Sequence, residues 1–307
     1  MAPESDALLS EPIRLAGDEG GDRARIRAKA SALVEAALRV FPDARPPPFR
    51  PEIYTELLGI PVIYSRDLAG WDALLVPTPA GYRILCNERM PASRRAFTLC
   101  HEVGHTFFAG SQEKRYFLRT KQRKSYLTRE KARLERACDM AAAELIMPQP
   151  WFDEAVGRHG LRAAALPELC REFAVSLEAA ALRLVETAGR PCAVGFFEFG
   201  LPPSAVSGSG RTRGSPGSPA AQGPSMAYRV RRVFHSHGFP FLFPDGKSVP
   251  STSVIYRSSL QLGELETEET FSLGSRQQAR LHVSAFPLHK REQVTEPPTV
   301  CALFTGA

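Results

Sequence analysis

From Arg23 to Val40 the apolar residues Ile26, Ala30, Leu33, Ala37 and Val40 recur at the spacing of one helix face. The run "FPDARPPPF" that follows predicts the end of this helix, because consecutive prolines cannot continue it. A short helix is expected over 51–58, then a strand at "IPVIY". "WDALLVP" and "GYRILCN" read as two further strands joined by the Pro/Gly turn at 77–81. Helical spacing returns from about 91 to 108, from about 128 to 147, and in "PQPWFDEAVGRHG", where a glycine marks the stop. Residues 166–186, "LPELCREFAVSLEAAALRLVE", predict two short helices with a tight corner at Ala174–Val175 and Ser176 as the second N-cap.

Beyond Arg190 the pattern changes to short strands: "CAVGFFEFG", "AYRVRRVF", "TSVIYRSS", "TFSLG", "ARLHVSAFP" and "TVCALF". Two stretches follow neither period. Residues 1–22 are polar and Gly-rich and are expected to be disordered. Residues 201–225 are rich in Pro, Gly and Ser and are expected to form a flexible loop within the C-terminal domain. The chain therefore divides into a tail (1–22), a mixed domain (23–150), a helical segment (151–189) and a strand-rich domain (190–307), an α+β organisation.

Length and composition fit this division. The chain has 307 residues, 43% of them hydrophobic, enough for one large or two to three small cores. No apolar run reaches the ~18 residues a membrane span needs, and the N-terminus lacks the basic start and apolar stretch of a signal peptide. Six scattered cysteines without a C-x-x-C pair suggest reduced, buried thiols, so a cytoplasmic location without membrane association is expected. Net charge is +6, which permits nucleic-acid contact without requiring it. Ten of the basic residues lie between Lys114 and Arg136, against two acidic ones, and read either as a solvated face or as a positive rim around a site.

One segment carries specific chemistry. "FTLCHEVGHTFF" contains His-Glu-x-x-His. Residues four apart on a helix lie about 40° apart around its axis, so His101 and His105 face the same way and suit one zinc ion. Glu102 is placed to act as general base toward water and as proton shuttle to a leaving amine. The flanking residues are apolar, and three ionisable groups on a buried helix are costly unless a metal or an acid network takes them up. A third histidine in the zincin pattern H-E-x-x-H-x-x-G-x-x-H is excluded, since Phe108 and Ser111 occupy the glycine and histidine positions. The helix "LERACDMAAAELIMP" offers Glu135, Asp139 and Glu144 instead. Glu135 and Asp139 share a face one turn apart, which suits Glu135 as third ligand and Asp139 as acceptor of a histidine's outer N–H. Glu144 is expected to be solvated, Glu113 and Glu130 are weaker candidates, and Cys100 is expected to point into the core. The fourth zinc position is then left for water, and peptide hydrolysis is the natural reaction class.

"RRAFTLCHEVGHTFF" followed by "ERACDMAAAELIMP" resembles the ImmA/IrrE metallopeptidase family, which pairs an "RFTLAHExGH" helix with an "ExxCNxxAAxxLMP" helix. The match runs through Phe97, Thr98, Leu99, His101, Glu102, Gly104 and His105, then Glu135, Cys138, Ala142, Ala143, Met147 and Pro148. Asp139 stands where the family usually has Asn. The resemblance implies a zincin-like core over 23–150, a helix–turn–helix-like pair over 151–189, and a small α/β, GAF-like domain over 190–307. The order of these parts is similar to that of the family's radiation-response regulators. It also implies a cytoplasmic, site-specific endopeptidase using Zn2+, with Mn2+ compatible with activity. The implied substrate is a small helix–turn–helix repressor of the XRE type, cleaved under DNA damage or a related stress.

Two other readings are compatible with the residues. One is a DNA-binding regulator using 160–187, although the second helix of that pair offers only Arg183 as a polar donor. The other is a stress sensor whose C-terminal domain binds a ligand and gates the protease. Phe234, Phe239, Phe241, Phe243 and Tyr256 would line its pocket or, more commonly for such residues, form core. His235 and His237 form an H-x-H pair, which on a strand would share one face.

Overall fold

The first helix, α1 (Glu19–Val40), begins four residues before the apolar pattern that predicts it. Its start is set by a cap: the Asp18 side chain accepts from the N–H groups of Gly20 and Gly21. In the computed structural model the described residues are 11–44, 47–68, 70–108, 129–203, 225–272, 278–288 and 297–306. The expectation of disorder over 1–22 is thereby corrected for 11–22. The Ile13 N–H donates to the Phe107 carbonyl at 2.7 Å, and Asp22 is buried and receives the N–H groups of Ala16 and Gly17. The Ile13–Phe107 bond joins residues far apart in sequence, so no local pattern announces it. Residues 1–10 lie outside the described residues, as do Glu113, the basic segment up to residue 128 and most of the loop expected over 201–225.

The chain forms two compact units, Met1–Ala155 with Leu169–Ala179, and Val156–Glu168 with Ala180–Ala307. In the first unit, α1 is followed by a 3-10 turn at Pro42–Ala44, α2 (Glu52–Leu57), β1 (Val62–Ser65), β2 (Ala73–Thr78) and β3 (Gly81–Asn87). The three strands form one sheet in the order β1-β3-β2, with β1 parallel and β2 antiparallel to β3. Against β2 and β3 lies α3 (Ala92–His105), and α3 packs along α4 (Arg129–Ile146). The α1 stripe Ile26, Ala30, Leu33, Val34 and Ala37 is buried and packs toward α4. The Tyr54 hydroxyl on α2 donates to the Leu145 carbonyl at 2.8 Å, tying α2 to the end of α4.

Three more helices follow: α5 (Gln149–His159), α6 (Ala165–Phe173) and α7 (Leu177–Thr187). The corner between α6 and α7 falls where the sequence places it. Ala174 adopts a left-handed φ of 53°, the Val175 N–H returns to the Cys170 carbonyl, and Ser176 Oγ accepts from the Ala179 N–H. The segment 151–189 is not a compact unit of its own, because its residues are shared between the two units.

The second unit contains a five-stranded antiparallel sheet. Its strands are β4 (Cys192–Gly200), β5 (Ala227–His235), β6 (Leu265–Ser272), β7 (Gln278–Leu288) and β8 (Thr299–Gly306), in the order β5-β4-β8-β7-β6. One sheet face carries Ala193, Phe197, Val283, Ala302 and Phe304 into a core that includes Val254 and Ile255 of α8 (Val254–Gln261). The strand expected at "TSVIYRSS" is thus corrected to a helix. Its β-branched start suggests a strand, but Ser253 caps it, and Glu269 on β6 accepts from both the Ser253 hydroxyl and the Val254 N–H. The strand expected at "TFSLG" begins earlier, at Leu265, with Glu266 and Glu268 reaching diagonally across the ladder to His282 and Arg280 of β7. Phe239, Phe241, Phe243 and Tyr256 belong to this aromatic core. His235 ends β5 while His237 lies in the following turn, so the two do not share a strand face.

Candidate metal centre

The α3 helix is buried without interruption from Thr98 to His105. That is unusual for a segment holding His, Glu and His, and it follows from packing on two sides, the sheet and α4. Small residues make the second contact close. A Cβ added to Gly104 would lie 3.1 Å from the Ala141 Cβ and 3.2 Å from the Cys138 carbonyl oxygen. With Ala141 and Ala142 also fully buried, the two helix backbones come near enough for short side chains to reach across.

Three contacts cross between the helices, and a fourth lies within α3. His101 Nδ1 lies 2.9 Å from Asp139 Oδ1, and His101 Nε2 lies 3.4 Å from Glu135 Oε2. The His101 and His105 rings stand 4.9 Å apart between centroids and nearly perpendicular. His105 Nδ1 lies 3.2 Å from Cys138 Sγ. The structure therefore brings His101, His105, Glu135 and Asp139 together, with Glu102 buried on the same helix. Glu130 takes no part in these contacts, and Glu144 is not solvated as expected. Glu144 is buried, and its Oε1 accepts from the Arg27 guanidinium at 2.9 Å. The partner comes from α1, more than a hundred residues away, so the helical wheel of α4 alone cannot reveal it.

The donor set fits a cation. Glu135 Oε1 is buried with no hydrogen-bond partner among the described residues, while its other oxygen faces the His101 nitrogen. A buried carboxylate oxygen left so is costly, and a cation would satisfy it. With Nδ1 of His101 engaged by Asp139, Nε2 is the nitrogen turned toward Glu135. The group reaches solvent on its α4 side, where the Asp139 side chain is 51% exposed and that of Glu135 17%.

Cys138 is the residue that sequence reasoning passes over. The ligand atoms of His101, His105 and Cys138 all lie within 4.8 Å of one another. Its position, three residues after Glu135 on the same helix, was the available signal. Cys100, beside His101 in sequence, is fully buried, and burial pushes its thiol far above the ordinary range. Cys86 on β3 is likewise pushed up to about 11 by burial. Arg183, the donor that a DNA-reading helix would need, is 1% exposed.

Residues 55–185 match the Peptidase_M78 family model, described as an IrrE N-terminal-like domain. The chain is 26% identical over 208 residues to the radiation response metalloprotease IrrE of Deinococcus radiodurans, covering 66% of this chain and 59% of that protein. It is 31% identical over 113 residues to the IrrE of Deinococcus deserti, covering 37% of this chain and 39% of that protein. The chain thus spans less than two thirds of either relative. Among solved structures, a Mycobacterium tuberculosis transcriptional regulator aligns with a TM-score of 0.47 at 13% identity, covering 93% of this chain and 81% of that one.

Proposed function

We propose a regulatory zinc endopeptidase function for this chain, which belongs to the ImmA/IrrE family of metallopeptidases. The observation that carries the reading is the meeting of α3 and α4, where Glu135 and Asp139 sit at the two nitrogens of His101. His101, His105 and Glu135 are the residues that would hold Zn2+, with Mn2+ as an alternative activating ion. The chemistry such an ion supplies is Lewis-acid polarisation of a peptide carbonyl and acidification of water. Glu102 would take the proton from the attacking water and deliver it to the leaving amine nitrogen. Asp139 would accept the Nδ1–H of His101, fixing the tautomer and ring orientation that leave Nε2 for the cation.

The substrate we propose is a small repressor of the XRE type, cleaved at one site to release a DNA-damage or stress response. The naming of the relatives as radiation response metalloproteases supports this class of role. We read 190–307 as a GAF-like domain suited to sensing. Its antiparallel sheet, with the first strand beside the last and a helix on one face, supports that reading. Direct base reading by α7 is disfavoured, since Arg183 is buried. No helix among the described residues is long and apolar enough to cross a membrane. We take the cytoplasm as the site of action.

The test combines metal content with cleavage. Purified protein should bind zinc stoichiometrically and cut a co-encoded XRE-type repressor. Glu102→Gln should retain zinc and lose cleavage. Cleavage that persists in Glu102→Gln, or specific DNA binding that survives zinc removal without any proteolysis, would sink the reading.

A further inference from the structure

We propose that Cys138 is a positioning residue for His105: its sulfur holds Nδ1 of that imidazole and so commits Nε2 to the metal. The inference rests on the metallopeptidase reading above and extends it to a residue with no role there.

The geometry is a matched pair of contacts. Cys138 Sγ lies 3.2 Å from His105 Nδ1, with both residues almost wholly buried. The next residue, Asp139, lies 2.9 Å from His101 Nδ1. Two adjacent α4 residues, about 100° apart around the helix, thus address two α3 residues one turn apart. Each imidazole is contacted at its Nδ1, which leaves Nε2 as its other ring nitrogen.

The contact is built into the helix crossing. Gly104 precedes His105, and a Cβ there would stand 3.2 Å from the Cys138 carbonyl oxygen and 3.4 Å from its Cα. A side chain at 104 would force the crossing to give by a few tenths of an ångström and so shift the sulfur relative to His105. The "GH" of the motif and the cysteine of the second helix are therefore one structural contact.

The chemistry favours positioning over ligation. An imidazole that gives its Nε2 lone pair to a cation carries its proton on Nδ1 and must donate it. A buried thiol sulfur is a weak but adequate acceptor there. Two histidines and Glu135 already supply three ligands, the number that leaves a catalytic zinc one open position. A thiolate in that position would close the site to water. The two histidines would then differ in character, with His101 backed by a carboxylate and His105 by a neutral sulfur.

The experiment uses the full chain as wild type, Cys138→Ala and Cys138→Ser. Zinc affinity is measured by chelator competition, and Co2+-loaded protein by optical absorption. Cys138→Ala should weaken zinc about 10–100-fold. Cys138→Ser should recover most of that loss, because its hydroxyl oxygen also accepts the Nδ1–H. Wild type with Co2+ should lack a thiolate-to-cobalt charge-transfer band. Unchanged affinity in Cys138→Ala overturns the inference. So does a thiolate band that disappears in Cys138→Ser, since Cys138 would then be a ligand. If Cys138→Ala does not fold, 15N histidine spectra of zinc-loaded wild type decide: His105 protonated at Nδ1 supports the inference, and His105 bound through Nδ1 overturns it. Wild-type protein that binds neither ion overturns the metallopeptidase reading itself, and this inference with it.

Discussion

Gly104 on α3 meets Cys138 on α4 at a separation too tight for a side chain without movement, with a hypothetical Cβ only 3.2 Å from the Cys138 carbonyl oxygen. The neighbour on that side is helix backbone, which cannot swing aside. Gly104→Ala should therefore overpack the crossing and cost about 1–3 kcal/mol of stability. The same displacement should weaken zinc binding, because the α4 contacts to both histidines move together. Thermal unfolding and chelator competition on the variant check this. A variant with wild-type values in both would show that the crossing yields freely.

Asp139 separates a hydrogen-bonding role from a charge role. Asp139→Ala should reduce zinc affinity about 10–100-fold, since His101 loses the acceptor at its Nδ1. Asp139→Asn should lose much less, because the amide oxygen can still accept from the same nitrogen. Equal losses in the two variants would instead point to the negative charge as what His101 requires.

Acid titration should expose the N-terminal tie. Burial alone would raise the Asp22 carboxyl. The Ala16 N–H, the Arg133 guanidinium, the Gly17 N–H and the Arg25 guanidinium outweigh that and bring it from 3.8 down to about 2. A depressed carboxylate contributes stability that is fully present above its unfolded value and is lost as pH falls through its folded value. The stability difference between wild type and Asp22→Asn should therefore be constant above pH 3.8 and shrink as pH falls toward about 2. Denaturant unfolding across that range measures it. A difference that grows on acidification would contradict the assignment.

Ala174 sits at φ 53° in the corner between α6 and α7. A left-handed alanine costs about 1–2 kcal/mol, and the looser unfolded chain that glycine brings costs about 0.4–1 kcal/mol. Ala174→Gly should thus stabilise the protein by roughly 0.5–1 kcal/mol. A measured loss of stability would mean that the alanine methyl makes contacts worth more than the strain.

Parts of this molecule were legible because their causes are local. The α3 spacing of His101, Glu102 and His105 follows from 3.6 residues per turn, and so does the shared face of Glu135 and Asp139 on α4. The corner at Ala174 and the Ser176 cap were also readable, since both depend on residues within one or two turns. Where a segment's partner lies on an element that no motif pairs with it, the reading failed. Glu144 faces solvent on a helical wheel of α4, but Arg27 of α1 holds it in the interior. "TSVIYRSS" has strand composition, yet Glu269 and the sheet face beneath it make 254–261 a helix.

The sequence by itself determined that His101, Glu102 and His105 share one helix and that Glu135 and Asp139 share a face of another, because periodicity fixes what a single helix can present. It did not determine which groups meet the Nδ1 atoms of His101 and His105, namely Asp139 and Cys138. Those depend on how closely α3 and α4 approach, and that distance is a property of packing between elements: Gly104, Ala141 and Ala142 set it only once the two helices have crossed.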